Sequence, residues 1–275
     1  MAYYEVNMKS VSVVIASHRP GEILTKCVES LWAQWVRPLE VIIVVDTEEE
    51  AHELEPLLLL NSHTKIYYSC ATGPTEARNL GIEKSTGDII AFIDDDAIAG
   101  NEWIEYIIRT FSLTTCDIVG GEVSPMFTGG VIVPEKWWWI IGCTSDEPPT
   151  FRPISCNMAV SREAFIKYGM FKEVGLTRME YPMSEETEFV QRVLAMGGCV
   201  AWNDDLKVYH NVPKERTTLS YMMTRAYREG VGKSVLENKD LEQQFLKFYL
   251  THPDRYTVPV LASVASGYLW GKMCK

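Results

Sequence analysis

The hydrophobic positions in the first half of the chain alternate between two periods. Val11-Ser-Val-Val-Ile-Ala16 is a nearly unbroken β-branched run, the pattern of a strand covered on both faces. Leu24, Val28, Leu31 and Trp35 then recur at helical spacing until Pro38 closes the segment. Glu40 to Asp46 predicts a second buried strand and residues 48–60 a helix. Lys65 to Ser69 predicts a third strand, Thr75 to Lys84 a helix, and Asp88 to Ile93 a fourth strand. Ile104, Ile107, Ile108 and Phe111 mark one more helix, and Asp117 to Val123 one more strand. Strands alternating with helices in this way predict right-handed crossovers and a Rossmann-like α/β fold, a mostly parallel central sheet flanked by helices.

The second half is less regular. Three consecutive tryptophans, Trp137 to Trp139, sit between Pro134 and a loop-like Glu147-Pro-Pro149. A strand over Ser155 to Val160, a helix over Ser161 to Tyr168 and a helix over Glu185 to Met196 follow, the last ended by Gly197-Gly198. With no internal repeat and no linker, residues 1–240 read as one domain. It divides into a regular half at 10–123 and an irregular half at 124–240, with a helical tail over 241–275. The uncharged stretch from Tyr256 to Gly271 is short of the roughly 20 apolar residues a membrane span needs. It is expected to lie on a membrane or to pack on the domain.

Composition narrows the function classes. Of 275 residues, 47% are hydrophobic and 23% charged, which excludes a disordered chain. The 26 basic and 37 acidic residues leave a net charge of −11, which argues against nucleic-acid partners. Seven scattered cysteines with no CxxC pair disfavour a disulfide framework or zinc ribbon and favour a reducing, cytoplasmic setting. The first apolar run has no small-residue cleavage site after it, so no signal peptide is expected.

Ligands of doubly wound sheets bind beyond the carboxyl ends of the strands. The residues there are His18, Arg19 and Pro20 after the first strand, Asp46 after the second, and Asp94-Asp95-Asp96 after the fourth. Three adjacent carboxylates at the end of a buried strand repel one another unless a cation offsets them, and hard divalent ions favour oxygen ligands. A solvated acidic turn capping the helix near Asn101-Glu102-Trp103 would produce the same triplet.

The order of several segments resembles the family 2 glycosyltransferases of GT-A fold. They are Val11 to Ser17, Glu40 to Asp46, Gly73-Pro-Thr-Glu-Ala-Arg-Asn-Leu-Gly-Ile82, and Thr86-Gly-Asp-Ile-Ile-Ala-Phe-Ile-Asp-Asp-Asp96. Gly120-Gly-Glu-Val, Cys156-Asn-Met-Ala-Val, Glu185-Glu-Thr-Glu-Phe and His210-Asn-Val-Pro follow in the family's order. The likeness covers roughly residues 10 to 230 and looks strongest to archaeal and bacterial members that build lipid-linked glycans, such as the dolichyl-phosphate-linked glucuronosyltransferases.

That resemblance implies a metal-dependent, inverting transfer from a nucleotide-sugar, expected to be a UDP-sugar, to a hydroxyl of a saccharide or polyisoprenyl-linked saccharide. It implies donor contacts from Ser17, Arg19, Asp46, Arg78, Asp94, Asp95 and Asn157, with Lys214 and Arg216 on a loop that folds over the diphosphate. Asp96 and Asp94 would hold Mn²⁺ or Mg²⁺, with His210 completing the site. The general base falls at Glu186, one methylene longer than the family's usual Asp, with Glu185 as second candidate. Arg225 and Arg228 would face anionic lipid headgroups or solvent, and Trp137 to Ile141 would stack on sugars, touch a membrane surface or pack in the core. Two other classes remain: a sugar-phosphate nucleotidyltransferase, for which His18-Arg-Pro-Gly21 is a poor phosphate loop, and a non-catalytic nucleotide-sugar-binding module.

Overall fold

A computed structural model describes residues 9–18, 20–69, 73–146, 153–174, 185–236 and 239–274. The first half alternates as expected: β1 (Val11–Ala16), α1 (Glu22–Trp32), β2 (Glu40–Val45), α2 (Glu48–Glu53), β3 (Thr64–Tyr68), α3 (Pro74–Lys84), β4 (Ile89–Phe92), β5 (Ala97–Ala99) and α4 (Trp103–Leu113). The second half comprises β6 (Ile118–Phe127), β7 (Met158–Ser161), α5 (Arg162–Tyr168), α6 (Glu185–Ala195), β8 (Val200–Val212), α7 (Leu219–Val235), α8 (Lys239–Thr251) and α9 (Thr257–Met273).

The strands form one eight-stranded sheet in the order β3-β2-β1-β4-β7-β6-β8-β5. Four pairings are parallel and three antiparallel, so the expected α/β architecture of GT-A type is borne out, with a parallel first half and a mixed second half. Each face is roofed. Val13 and Ile15 of β1 pack with Leu24, Val28 and Leu31 of α1 and Trp103, Ile104 and Ile107 of α4. The alternate residue Val14 packs with Ala77 and Ile82 of α3 and with Phe165 and Phe189 of α5 and α6. This two-sided burial is why β1 and β2 are continuously apolar.

Three departures from the sequence reading have local causes. The helix expected over 48–60 ends at Glu53, where Pro56 lacks the N–H an α-helix would need, and the chain continues as a 3₁₀ turn over Glu55–Leu59. The three-residue β5 was not expected. The strand-like Lys207-Val-Tyr209 before His210 belongs to a strand of 13 residues, because the polar Asn203-Asp204-Asp205 lies in an irregularity where pairing jumps from Gly121↔Asn203 to Glu122↔Lys207. A Cβ on Gly121 would stand 2.1 Å from Leu206 O, so the bulge needs glycine there.

The end of the chain packs on the body. Phe245 and Tyr249 of α8 and Tyr256 and Val260 near α9 belong to the same buried cluster as Val13. Helices α7 and α9 touch backbone to backbone: a Cβ on Gly230 would stand 2.0 Å from Val264 O, and one on Gly267 2.0 Å from Tyr227 O. The tryptophan run is a socket for α8. Trp137 is fully buried, stacks on Tyr249 with centroids 4.2 Å apart, and donates its Nε1–H to Asp254 at 2.9 Å. The Nε1–H of Trp138 goes to Val133 O and that of Trp139 to Tyr249 Oη. No helix among the described residues is long and apolar enough to cross a membrane.

Candidate active site

The acidic triplet follows β4 at its carboxyl end, on the edge where β1 and β2 also terminate. Ala97 of β5 pairs with His210 of β8, so sheet register delivers His210 beside Asp96. Ligand atoms of Asp94, Asp96 and His210 lie within 4.8 Å of one another. His210 Nε2 stands 3.0 Å from Asp96 Oδ1. Arg216 reaches the same two residues, donating from Nη2 to Asp96 Oδ2 at 2.7 Å and lying 3.0 Å from His210 Nε2 through Nη1. Behind the ring, Cys143 Sγ is 3.7 Å from His210 Nδ1, and Gly142 takes a left-handed φ of 76° directly against the ring.

The three carboxylates are not equivalent. Burial works to raise Asp96, but the hydrogen bond to His210 and the charges of His210 and Arg216 outweigh it and hold the carboxyl below its ordinary range. Asp95 is pushed up to about 6 by burial and by its acidic neighbours, against the hydrogen bond it accepts from Ser17 Oγ at 2.5 Å. Two carboxylates and an adjacent imidazole nitrogen suit a divalent cation such as Mn²⁺, which accepts mixed oxygen and nitrogen ligands. Mg²⁺ would rely mainly on the two carboxylates.

A second group sits at the start of α6. Glu185 is buried and ion-paired to Arg78 of α3, whose other nitrogen donates to Asp94 Oδ1 at 3.4 Å. Arg78 thus bridges the metal-type cluster and the head of α6. The neighbouring Glu186 carboxyl is driven well above the ordinary carboxylate range by burial and by the like charge of Glu185, with Arg78 opposing and Glu229 of α7 adding to the rise.

The remaining expected donor residues divide. Asp46 follows β2 and is held by the His18 imidazole, while the carboxylate of Glu50 accepts from its backbone N–H at 3.1 Å. Ser17 is buried beside Asp95. Arg19 lies outside the described residues, whereas Lys214 is exposed on the wall of a separate groove. Asn157, expected to meet donor or acceptor hydroxyls, is a correction. It is fully buried, its Nδ2 donates to Glu122 O and Leu206 O at 2.8 and 2.7 Å, and its Oδ1 accepts from Trp103 Nε1. That side chain pins the β6–β8 bulge. His18 was marked only by its place after β1, while Gly142 and Cys143 were not singled out and nothing in their sequence spacing marks them.

Comparison with known proteins adds the family. A glucosyl-dolichyl phosphate glucuronosyltransferase of Haloferax volcanii is 28% identical over 250 residues, covering 82% of this chain and 77% of that protein. The succinoglycan biosynthesis protein ExoM of Rhizobium meliloti is 27% identical over 160 residues, 56% of this chain and 50% of its own. The glycosyltransferase AglE of Haloferax volcanii is 27% identical over 177 residues, 60% and 55% of the two chains. Residues 12–169, which contain β1 to β4, Arg78 and the acidic triplet, match the family described as Glycosyl transferase family 2, and the chain is therefore a glycosyltransferase of that family.

Proposed function

We propose that this protein transfers a sugar, with inversion, from a UDP-sugar to a hydroxyl of a saccharide held on a polyisoprenyl carrier, in a divalent-metal-dependent reaction. The observation that carries the reading is the Asp94–Asp96–His210 cluster standing by the head of α6, with Arg78 bridging Asp94 and Glu185, the neighbour of Glu186. A metal held by Asp94, Asp96 and His210 would neutralise the diphosphate as it leaves. Arg216, already drawn to Asp96, adds a second positive charge on the same side. Ser17 and Asp46 line the nucleoside end. Glu186 takes the proton of the acceptor hydroxyl as its oxygen attacks the anomeric carbon from the face opposite the diphosphate. A base raised in this way is matched to a neutral hydroxyl better than an ordinary carboxylate would be.

The acceptor assignment leans on the printed name of the Haloferax relative, which acts on a dolichyl phosphate-linked sugar. All six described cysteines are free, which supports a reducing, cytoplasmic setting with the acceptor met at a membrane surface. Family membership favours glycosyl over nucleotidyl transfer. The test is a thermal-shift panel of UDP-, GDP-, CMP- and dTDP-sugars with and without Mn²⁺, followed by transfer to a polyprenyl-linked sugar. A ligand bound only by the native state raises the melting temperature by mass action. Stabilisation by a UDP-sugar that requires Mn²⁺ is expected; a folded protein indifferent to every donor would overturn the reading.

A further inference from the structure

A groove of about 430 Å³ opens beside the candidate active site, bounded by Gly130 and Val131, by the turn Lys214 to Leu219, and by Arg255 and Tyr256. Its walls are mainly aliphatic and aromatic carbon. Lys214 and Arg255 are the charged side chains among its lining residues, and no carboxylate lines it. The Lys214 ammonium has no ion pair or hydrogen bond among the described residues. The guanidinium of Arg255 stacks over the Tyr256 ring at 4.7 Å and donates to its hydroxyl at 2.5 Å, which fixes its position without neutralising it. Asp254, adjacent in the chain, is turned away to Trp137 and to Lys136 at 3.1 Å. Of the lining residues, Val131 and Leu219 are exposed by 52% and 42%; Ile132 and Val258, one and two positions from lining residues, are exposed by 75% and 78%.

Apolar walls, two cations and no acid are complementary to one kind of ligand, a phosphate carried on an apolar chain. We propose that this groove holds the phosphate and first isoprene units of the polyisoprenyl-linked acceptor, with Lys214 and Arg255 on the phosphate and Val131, Ile132 and Leu219 against the chain. The geometry connects it to the chemistry. Lys214 and Arg216 occupy the same 3₁₀ turn, and Arg216 is bonded to Asp96, so a phosphate at Lys214 lies one short turn from the metal-type cluster. Thr217 welds the two walls, accepting from Val131 N at 3.2 Å and donating to Lys214 O at 2.8 Å. The inference rests on the membrane-held acceptor proposed above, and it gives Lys214 an acceptor-side task in place of the donor loop.

The full-length protein is sedimented with phosphatidylcholine vesicles that are plain, doped with undecaprenyl phosphate, or doped to the same charge with phosphatidic acid. UDP-sugar stabilisation is measured on the same samples. Wild type is expected to favour the undecaprenyl phosphate vesicles over both others. Arg255→Glu and Ile132→Asp, both at exposed positions, are each expected to lose about tenfold of that binding while keeping donor stabilisation and donor hydrolysis. Equal binding to phosphatidic acid vesicles, or variants that bind as wild type, would overturn the groove assignment. Loss of donor stabilisation in wild type would overturn the transferase reading instead, whatever the vesicles do.

Discussion

The Arg78 guanidinium and the Glu185 carboxylate form a buried ion pair that ties α3 to α6. Removing one partner leaves the other charge buried and uncompensated, a cost of about 3–5 kcal/mol. Arg78→Met is therefore expected to lower the denaturant midpoint sharply, and Arg78→Met with Glu185→Leu to recover part of the loss. A double variant no more stable than the single one would refute the pairing as the cause.

As the proposed base, Glu186 is expected to carry the pH dependence. Its carboxyl is held protonated to higher pH than usual, so as a base it is inactive below its raised pKa and gains activity as pH rises through it. Glu185→Gln removes a like charge and should move the acidic limb of the pH–rate profile down by about one unit. Glu186→Gln should cut kcat by about 10²–10⁴ with little change in donor affinity. A limb that stays in place, or a kcat within about threefold of wild type, would transfer the base to another residue.

Chelation should abolish transfer, and added Mn²⁺ should restore it. Calorimetric titration of Mn²⁺ into Asp96→Asn is expected to show affinity reduced by about a hundredfold or more, since the carboxylate would be a ligand and already anchors Arg216. Undiminished Mn²⁺ binding would place the ion elsewhere.

Gly142 presses on His210: a Cβ there would stand 3.0 Å from the ring, and the residue already sits at positive φ. Gly142→Ala is expected to cost about 1–2 kcal/mol in the backbone and to displace the imidazole. The readout is Mn²⁺ affinity at matched folded fraction. Cys143→Ala, which leaves the backbone unstrained but removes the group at Nδ1, should weaken the metal less than Gly142→Ala does.

Trp137 distinguishes a sugar platform from a structural socket. Its burial under Tyr249 predicts that Trp137→Ala costs about 3–5 kcal/mol while the remaining folded enzyme keeps its KM for acceptor. A stable variant with a raised acceptor KM would reverse that assignment.

The parallel half was legible because strands buried on both faces must be β-branched and continuous, and β1 matches its reading residue for residue. Asp94 and Asp96 were legible too, since adjacent carboxylates after a strand are chemically conspicuous. The rest depends on partners distant in the chain. Glu185 answers Arg78 across 107 positions, a separation that carries no local pattern. Asn157 was expected at sugars only from the resemblance, and the tryptophans as stacking rings, interface residues or core; the carbonyls and carboxylate that satisfy Asn157 and Trp137 lie far along the chain. β5 is too short to register by alternation, and the acidic bulge hid the first half of β8, ahead of the strand-like Lys207 to Tyr209.

The pairing of Ala97 with His210 also bears on how the enzyme is made. Asp94 and Asp96 emerge from the ribosome long before their imidazole partner, and α6, which carries Glu186, comes out just ahead of it. A nascent chain halted before β8 would hold its acidic triplet without His210 or Arg216, leaving the negative charges unshielded. Closing that contact is a long-range event, so strand β8 is a natural late step in folding. Catalytic competence would then be gained in one step, when β8 closes, instead of accumulating along the chain.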